Sequence, residues 1–194
     1  MRFGRRIVGA GALAAAVGLL FACGSASSAV ESAGMRKGAA MNFALQSPEW
    51  KMGNEIPRQF TCDGQNVSPP LHWDDPPAGT ESLSLILEDP DAPGGVFTHW
   101  VLFDLPAGGR ELPEKVSQQG TLPSGARQGR NSFGKVGYGG PCPPPGPAHR
   151  YYFRLYALDR KIDLAAGTGR ADLDKAMRGH ILAQAEYMGR YKRR

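Results

Sequence analysis

The residues suited to proton chemistry gather in two short stretches. Glu88 to Trp100 holds an Asp89-Pro90-Asp91-Ala92-Pro93 turn followed by His99, and Tyr138 to Tyr151 holds Gly139-Gly140-Pro141-Cys142 followed by His149-Arg150-Tyr151. Carboxylates and imidazoles change charge or hydrogen-bonding role within a modest pH range, and a phenol donates or accepts. A glycine loop lets backbone approach a ligand closely and offers an amide, here Gly140, to an anion. If the two turns meet, Asp89, Asp91, His99, Gly140, His149 and Tyr151 form one pocket for a small anion or a phosphate headgroup. Such a pocket would hold its ligand by sharing protons with it.

Other chemistries draw on the same residues. The Asp/His set would serve a hydrolase as general acid and base, and Cys62 with a histidine would serve as a nucleophile. No serine sits on a nucleophile elbow and no HExxH metal spacing occurs. A zinc site from Asp89, His99 and His149 needs three ligands converging, which two separated turns do not specify. The sequence therefore assigns no catalytic residue, no metal and no cofactor. A third reading is an interaction protein that inhibits a protease or another enzyme through loops at the pocket rim, with residues 120–139 as an exposed rigid loop.

Each residue also has a plainer role. Prolines on both sides fix the backbone of the Asp89–Pro93 turn, and its carboxylates can simply bond their own turn amides. The Ala92–Pro93 bond can adopt cis at small cost. His99 shares the strand parity of Val101 and Phe103, where a histidine is commonly a satisfied core residue. His149 and Tyr151 share a parity too, which aims a ring nitrogen and a phenol at one spot. Arg150 alternates to the other face, suited to a buried pair with an acid such as Asp91.

Strand-like sequence must position these groups. Ser82–Glu88 (SLSLILE), Thr98–Asp104 (THWVLFD) and Tyr151–Leu158 (YYFRLYAL) are strong strands, the first apolar on both faces. Asn42–Leu45, Asn54–Cys62 and Ser68–Trp73 are weaker extended pieces. From Thr121 to Pro147 turn formers dominate, a length of loop that is usually functional. Only the end reads as helical: Asp172 can cap, and Leu173, Met177, Ile181 and Met188 fall near one stripe of period 3.6. The expectation is a mostly β domain over residues 42–194 with a C-terminal α-helix.

The chain has 194 residues, enough for one ordinary domain, and its 26 Gly and 16 Pro favour turns and short strands. Three arginines of the formal +5 lie in the first six residues, and no acid lies there, so the remainder carries +2. That excludes a nucleic-acid reading, and the run Arg190–Arg194 reads as a solvated tail. Residues 1–22 read as an export signal, with Arg2, Arg5 and Arg6 before an uncharged stretch. As a helix, Ile7–Ala22 would span roughly 24 Å, short of a ~30 Å hydrocarbon core. The stretch ends Leu20-Phe21-Ala22-Cys23-Gly24, which resembles a bacterial lipobox, and the resemblance implies that Cys23 carries a lipid (palmitate-type) anchor. The alternative is a secretory signal cut after a small residue such as Ala29. Residues 23–41 are small and polar, a flexible tether between membrane and domain. In an exported protein Cys62 and Cys142 would pair as a disulfide or remain two buried thiols.

Taken together, these motifs resemble the signature regions of the phosphatidylethanolamine-binding protein (PEBP, or Raf kinase inhibitor protein-like) family, its bacterial branch above all. The carriers are Asp89–Pro93 with His99, Gly140-Pro141 with His149-Arg150-Tyr151, Phe60–Trp73 (FTCDGQNVSPPLHW) and Ala176–Tyr191 (AMRGHILAQAEYMGRY). The resemblance covers roughly residues 42–191. It implies a Greek-key β-sandwich with a small anion pocket at one end, Pro93 in cis, and Asp89, His99, the Gly140 amide, His149 and Tyr151 as pocket residues. The Cys142–Ala148 proline run departs from the family pattern and would reshape the rim.

Overall fold

The structure, a computed structural model, describes residues 43–193. The segments read above as a signal peptide and a tether, the expected lipidation site at Cys23, and Asn42 lie outside the described residues. Eight antiparallel strands form two sheets. The small sheet has the order β1-β2-β5, from Leu45–Gln46, Leu71–Trp73 and Glu111–Leu112. The large sheet is β6-β4-β3-β7-β8, from Arg127–Gln128, Phe97–Pro106, Ser82–Asp89, His149–Leu158 and Ile181–Tyr191.

Strand β3 is buried along all eight residues because both sheet faces are covered. On one face Leu83, Leu85 and Leu87 join Phe153, Leu155 and Trp100 in a core closed by Leu45, Leu71 and Trp73 of the small sheet. On the other, Ile86, Val101, Phe103 and Leu158 pack on Leu173 and Met177 of the helix α1, Arg170–Met177. A sandwich with one helix on its outer face satisfies the apolar surface of every long strand.

The C-terminus departs from the helical expectation. Helix α1 is eight residues long, is entered from Gly169 and has Asp172 in its first turn instead of at its cap. Arg178 is already extended and Gly179, two residues past Met177, has φ 82°, so the helix stops at Met177. Residues 181–191 then pair with β7 across ten residue pairs, from His149↔Tyr191 to Leu158↔Ile181. Ala185, Tyr187 and Tyr191 turn into the core at a period of two, whereas Ile181, one of the four residues of the supposed helical stripe, is exposed. A long strand partner offered more burial than further helical turns.

Other expectations shift by less. The first strand begins at Leu45, and 54–62 makes a 3₁₀ turn at Arg58–Phe60 and one bridge from Glu55 to Arg190. The C-terminal basic run is no free tail: Arg190 and Tyr191 belong to β8, and Arg193 Nε donates to Asp63 Oδ1 at 3.2 Å. No helix of the described residues is long and apolar enough to cross a membrane.

Candidate functional site

The aspartyl-proline corner leaves the end of β3 beside the start of β7, its antiparallel neighbour, so the two stretches do meet. His149 Nδ1 lies 2.8 Å from Asp89 Oδ2, and both side chains are almost fully buried. The other carboxylate oxygen, Oδ1, accepts the Asp91 amide at 2.8 Å. Asp89 thus fills both roles open to it: it caps its own turn and orients a histidine. The donor is Nδ1–H, since the carboxylate accepts, and Nε2 is left as the ring nitrogen for a ligand.

A β-bulge brings in His99. Leu87 pairs with Trp100 and Glu88 with Thr98, so His99 is the extra residue on β4. The bulge turns His99 away from the face of Val101 and Phe103 expected from strict alternation. Its ring stands edge-on to Tyr151, 5.2 Å between centroids, on the pocket side of the sheet. His99 Nδ1 is 2.8 Å from Gly139 O and 3.1 Å from Gly140 O. Carbonyl oxygens only accept, so the proton is assigned to Nδ1 and a neutral ring presents the Nε2 lone pair. Burial pushes the His99 pKa down, against the opposing pull of the two carbonyls and the Asp89 charge.

These groups line a cavity of about 200 Å³ bounded by Asp89, His99 and His149 and by apolar walls that include Pro93, Phe97 and Phe133. Phe133 sits over His99 and Phe97, with ring centroids 5.4 and 4.7 Å apart. It is set there by Asn131, whose Oδ1 accepts the amides of Phe133 and Lys135 and whose Nδ2 donates to Gly137 O. A side chain at Gly139 would meet the Phe133 ring at 2.7 Å, so that position must be bare. Cys142, Pro143 and Pro144 form the opposite wall, so the proline run does shape the rim.

The other sequence-predicted residues lie differently. Asp91 does not line the cavity: Oδ1 and Oδ2 take Nη2 and Nε of Arg150 at 2.6 and 2.9 Å, and Oδ2 also takes its amide. That pair is largely exposed, not buried, and the guanidinium hydrogen bonds hold the Asp91 pKa down to about 2. The Gly140 amide is not free for an anion, because it donates to Asn66 Oδ1 at 2.7 Å. Gly140 is instead a packing position, where an added Cβ would meet Phe60 O at 2.4 Å. Tyr151 is fully buried behind His99, and its hydroxyl has no hydrogen-bond partner of acceptable geometry. Burial first, then the Asp89 charge, pushes its phenol well up.

Cys62 and Cys142 are joined in a disulfide, which ties the cavity wall to the Phe60–Asp63 turn. Tyr138 Oη, donating to Phe60 O at 2.6 Å, reinforces the same clamp. A bonded sulfur removes Cys62 as a nucleophile. Residues 120–139 are not a free-standing loop: β6 pairs with β4, and Ala126, Gln128 and Asn131 are buried. Among the described residues no group of three or more His, Cys, Asp or Glu is placed to hold a metal ion. Sequence reasoning missed Asn66, Phe97, Asn131 and Phe133. It also missed Glu88, buried on the opposite face between Arg154 and Arg170. A glutamate inside an otherwise apolar strand was the available signal for the last.

Larger cavities lie elsewhere. One of about 440 Å³ is walled by Trp73, Leu105, Leu112 and Leu122, and one of about 370 Å³ by Arg58, Asp63 and Lys192. Neither is lined by a histidine, although the second is lined mostly by charged groups, with Glu55 and Tyr191 beside the residues just named.

Residues 46–192 match the family model described as phosphatidylethanolamine-binding protein. The UPF0098 protein of Methanothermobacter thermautotrophicus is 52% identical over 138 residues, 71% of this chain and 91% of that protein. The UPF0098 protein of Aquifex aeolicus is 50% identical over 149 residues, 76% of this chain and 86% of that protein. Among solved structures, Escherichia coli YbcL, described as a new member of the mammalian PEBP family, matches with TM-score 0.74 and 36% identity over 78% of this chain and 99% of its own. Chlamydia trachomatis CT736 matches with TM-score 0.73 and 38% identity over 80% of this chain and all of its own. With its sandwich, its strand-mouth cavity and its motifs in order, the chain belongs to the phosphatidylethanolamine-binding protein family.

Proposed function

We propose that the protein is a binding module for a small oxyanion of the phosphate or phosphate-headgroup class, exported and tethered to a membrane by a lipid on Cys23. The observation that carries the reading is the paired arrangement of His149 and His99. Each imidazole has its Nδ1 committed, to Asp89 Oδ2 and to the Gly139 and Gly140 carbonyls, and both rings line one cavity. Two rings fixed in this way keep Nε2 for a ligand and lose little freedom when it binds.

The cavity volume of about 200 Å³ admits a phosphate with a few attached atoms and no larger headgroup fully enclosed. The apolar walls of Phe97, Phe133 and Pro143 suit the organic side of a phosphate ester. Protonating an imidazole adds a donor and a positive charge, so binding weakens as pH rises through the imidazole range. Isothermal titration of the domain with phosphorylethanolamine at about pH 6 and pH 8 tests the reading. Saturable binding that weakens at the higher pH supports it, and equal binding by wild type and a His149→Ala variant contradicts it.

A further inference from the structure

The hydrogen-bond directions around His99 carry a sharper statement about the ligand, one that rests on the oxyanion reading above. We propose that the cavity selects oxyanions that still carry a proton, and that His99 Nε2 is the acceptor that reads it. The preferred class is a phosphate monoester monoanion, hydrogen phosphate or a phosphonate monoanion, and sulfate esters of the same shape and charge are rejected.

The assignment follows from what surrounds the ring. The Gly139 and Gly140 carbonyls face Nδ1 and fix the proton there. From β3 the only charged neighbour is Asp89, whose oxygens are engaged by the Asp91 amide and by His149. From β7 come His149 and the Tyr151 ring, and from the 131–139 segment the Phe133 ring. Phe97 completes the enclosure from the histidine's own strand. His99 is only 2% exposed, so its ring has little contact with bulk water.

A ligand oxygen bearing hydrogen can donate to Nε2, and the proton stays on that oxygen. An oxygen without hydrogen places one lone pair against another, or forces His99 to take a proton that its burial disfavours. His149 differs in its partner: its Nδ1 faces the Asp89 carboxylate, which supports a charged ring whose Nε2 donates as well as a neutral ring whose Nε2 accepts. Selectivity of this kind works by repelling the wrong ligand as much as by holding the right one. A single unmet or repulsive contact in a dry site corresponds to roughly 10- to 100-fold in affinity.

Methyl phosphate and methyl sulfate make the comparison clean. At about pH 6 some half of a phosphate monoester is the monoanion. It then matches the sulfate ester in charge and shape and differs by one proton. Calorimetric titration of the folded domain with each, with the histidine ring signals followed by NMR, reads both affinity and place. The proposal predicts methyl phosphate tighter by roughly 10- to 100-fold, with His99 and His149 signals moving. It also predicts that His99→Gln, whose amide can donate as well as accept, loses the discrimination. If that variant does not fold, the wild-type pair of titrations decides alone. Equal affinity for the two esters, with both histidines responding, overturns the proton readout and leaves the oxyanion pocket standing. Binding of neither ester, or binding that leaves both ring signals unmoved, ends the pocket reading and this inference with it.

Discussion

Breaking the Cys62–Cys142 bond should cost the domain several kilocalories and loosen the cavity at the same time. The bond closes a loop of 80 residues. Chain-entropy arithmetic for a loop of that size gives about 4.5 kcal/mol of stabilisation, and relaxation of the reduced protein brings measured values nearer 2–4 kcal/mol. For a domain of this size each kilocalorie moves the melting temperature by roughly 2–4 °C, so a fall of about 5–15 °C is expected. Cys142 is itself a wall of the cavity, so the Cys62→Ser/Cys142→Ser variant should also bind methyl phosphate more weakly. Scanning calorimetry with and without reductant, beside the double variant, measures the first effect. A melting shift under about 2 °C in both would refute the reasoning, because it would mean that the bond does not restrict the unfolded chain.

Removal of the buried Glu88 carboxylate by Glu88→Ala leaves Arg154 and Arg170 without their shared partner. Chemical denaturation should show a loss of about 3 kcal/mol or more, and a loss under 1 kcal/mol would count against the pairing. Asp91 has its folded pKa depressed to about 2, below its unfolded value, so its contribution is full above pH 4 and disappears as pH falls through the folded value. The stability gap between wild type and Asp91→Asn should therefore close between about pH 4 and pH 2, and a gap constant over that range would contradict the ion pair. Gly140→Ala drives a Cβ to within 2.4 Å of Phe60 O and should lower stability by about 1–3 kcal/mol, whereas an unchanged melt would mean that the 60–66 turn yields freely.

Much of this site was legible from residue types. Proline fixes the corner that holds Asp89, and parity alone placed His149 and Tyr151 on one face of β7. The long strands were legible for the same reason: Leu83, Leu85, Leu87 and Ile86 announce burial on both faces. What the sequence hid was register. The bulge that turns His99 into the cavity depends on how β4 meets β3, and no local pattern shows a pairing shift. The same holds for Gly140, whose amide is taken by Asn66 from a segment far away in the chain.

The misread C-terminus has a related cause. Leu173, Met177, Ile181 and Met188 fit a helical stripe, yet the competing alternation of Ala185, Tyr187 and Tyr191 was the signal that tertiary pairing selected. A glycine at 179 marked the break. Short apolar patterns that fit two periods are decided by the partner available, and here β7 was a ten-residue edge awaiting one.

The central claim is that an oxyanion sits between His149 and His99. A crystal structure of the domain with methyl phosphate tests it most directly. The account predicts phosphate oxygens within about 2.6–3.2 Å of Nε2 of both rings, with Phe133 over the ester methyl. Phosphate density in the Arg58–Lys192 cleft, with the His149–His99 cavity holding none, would contradict it.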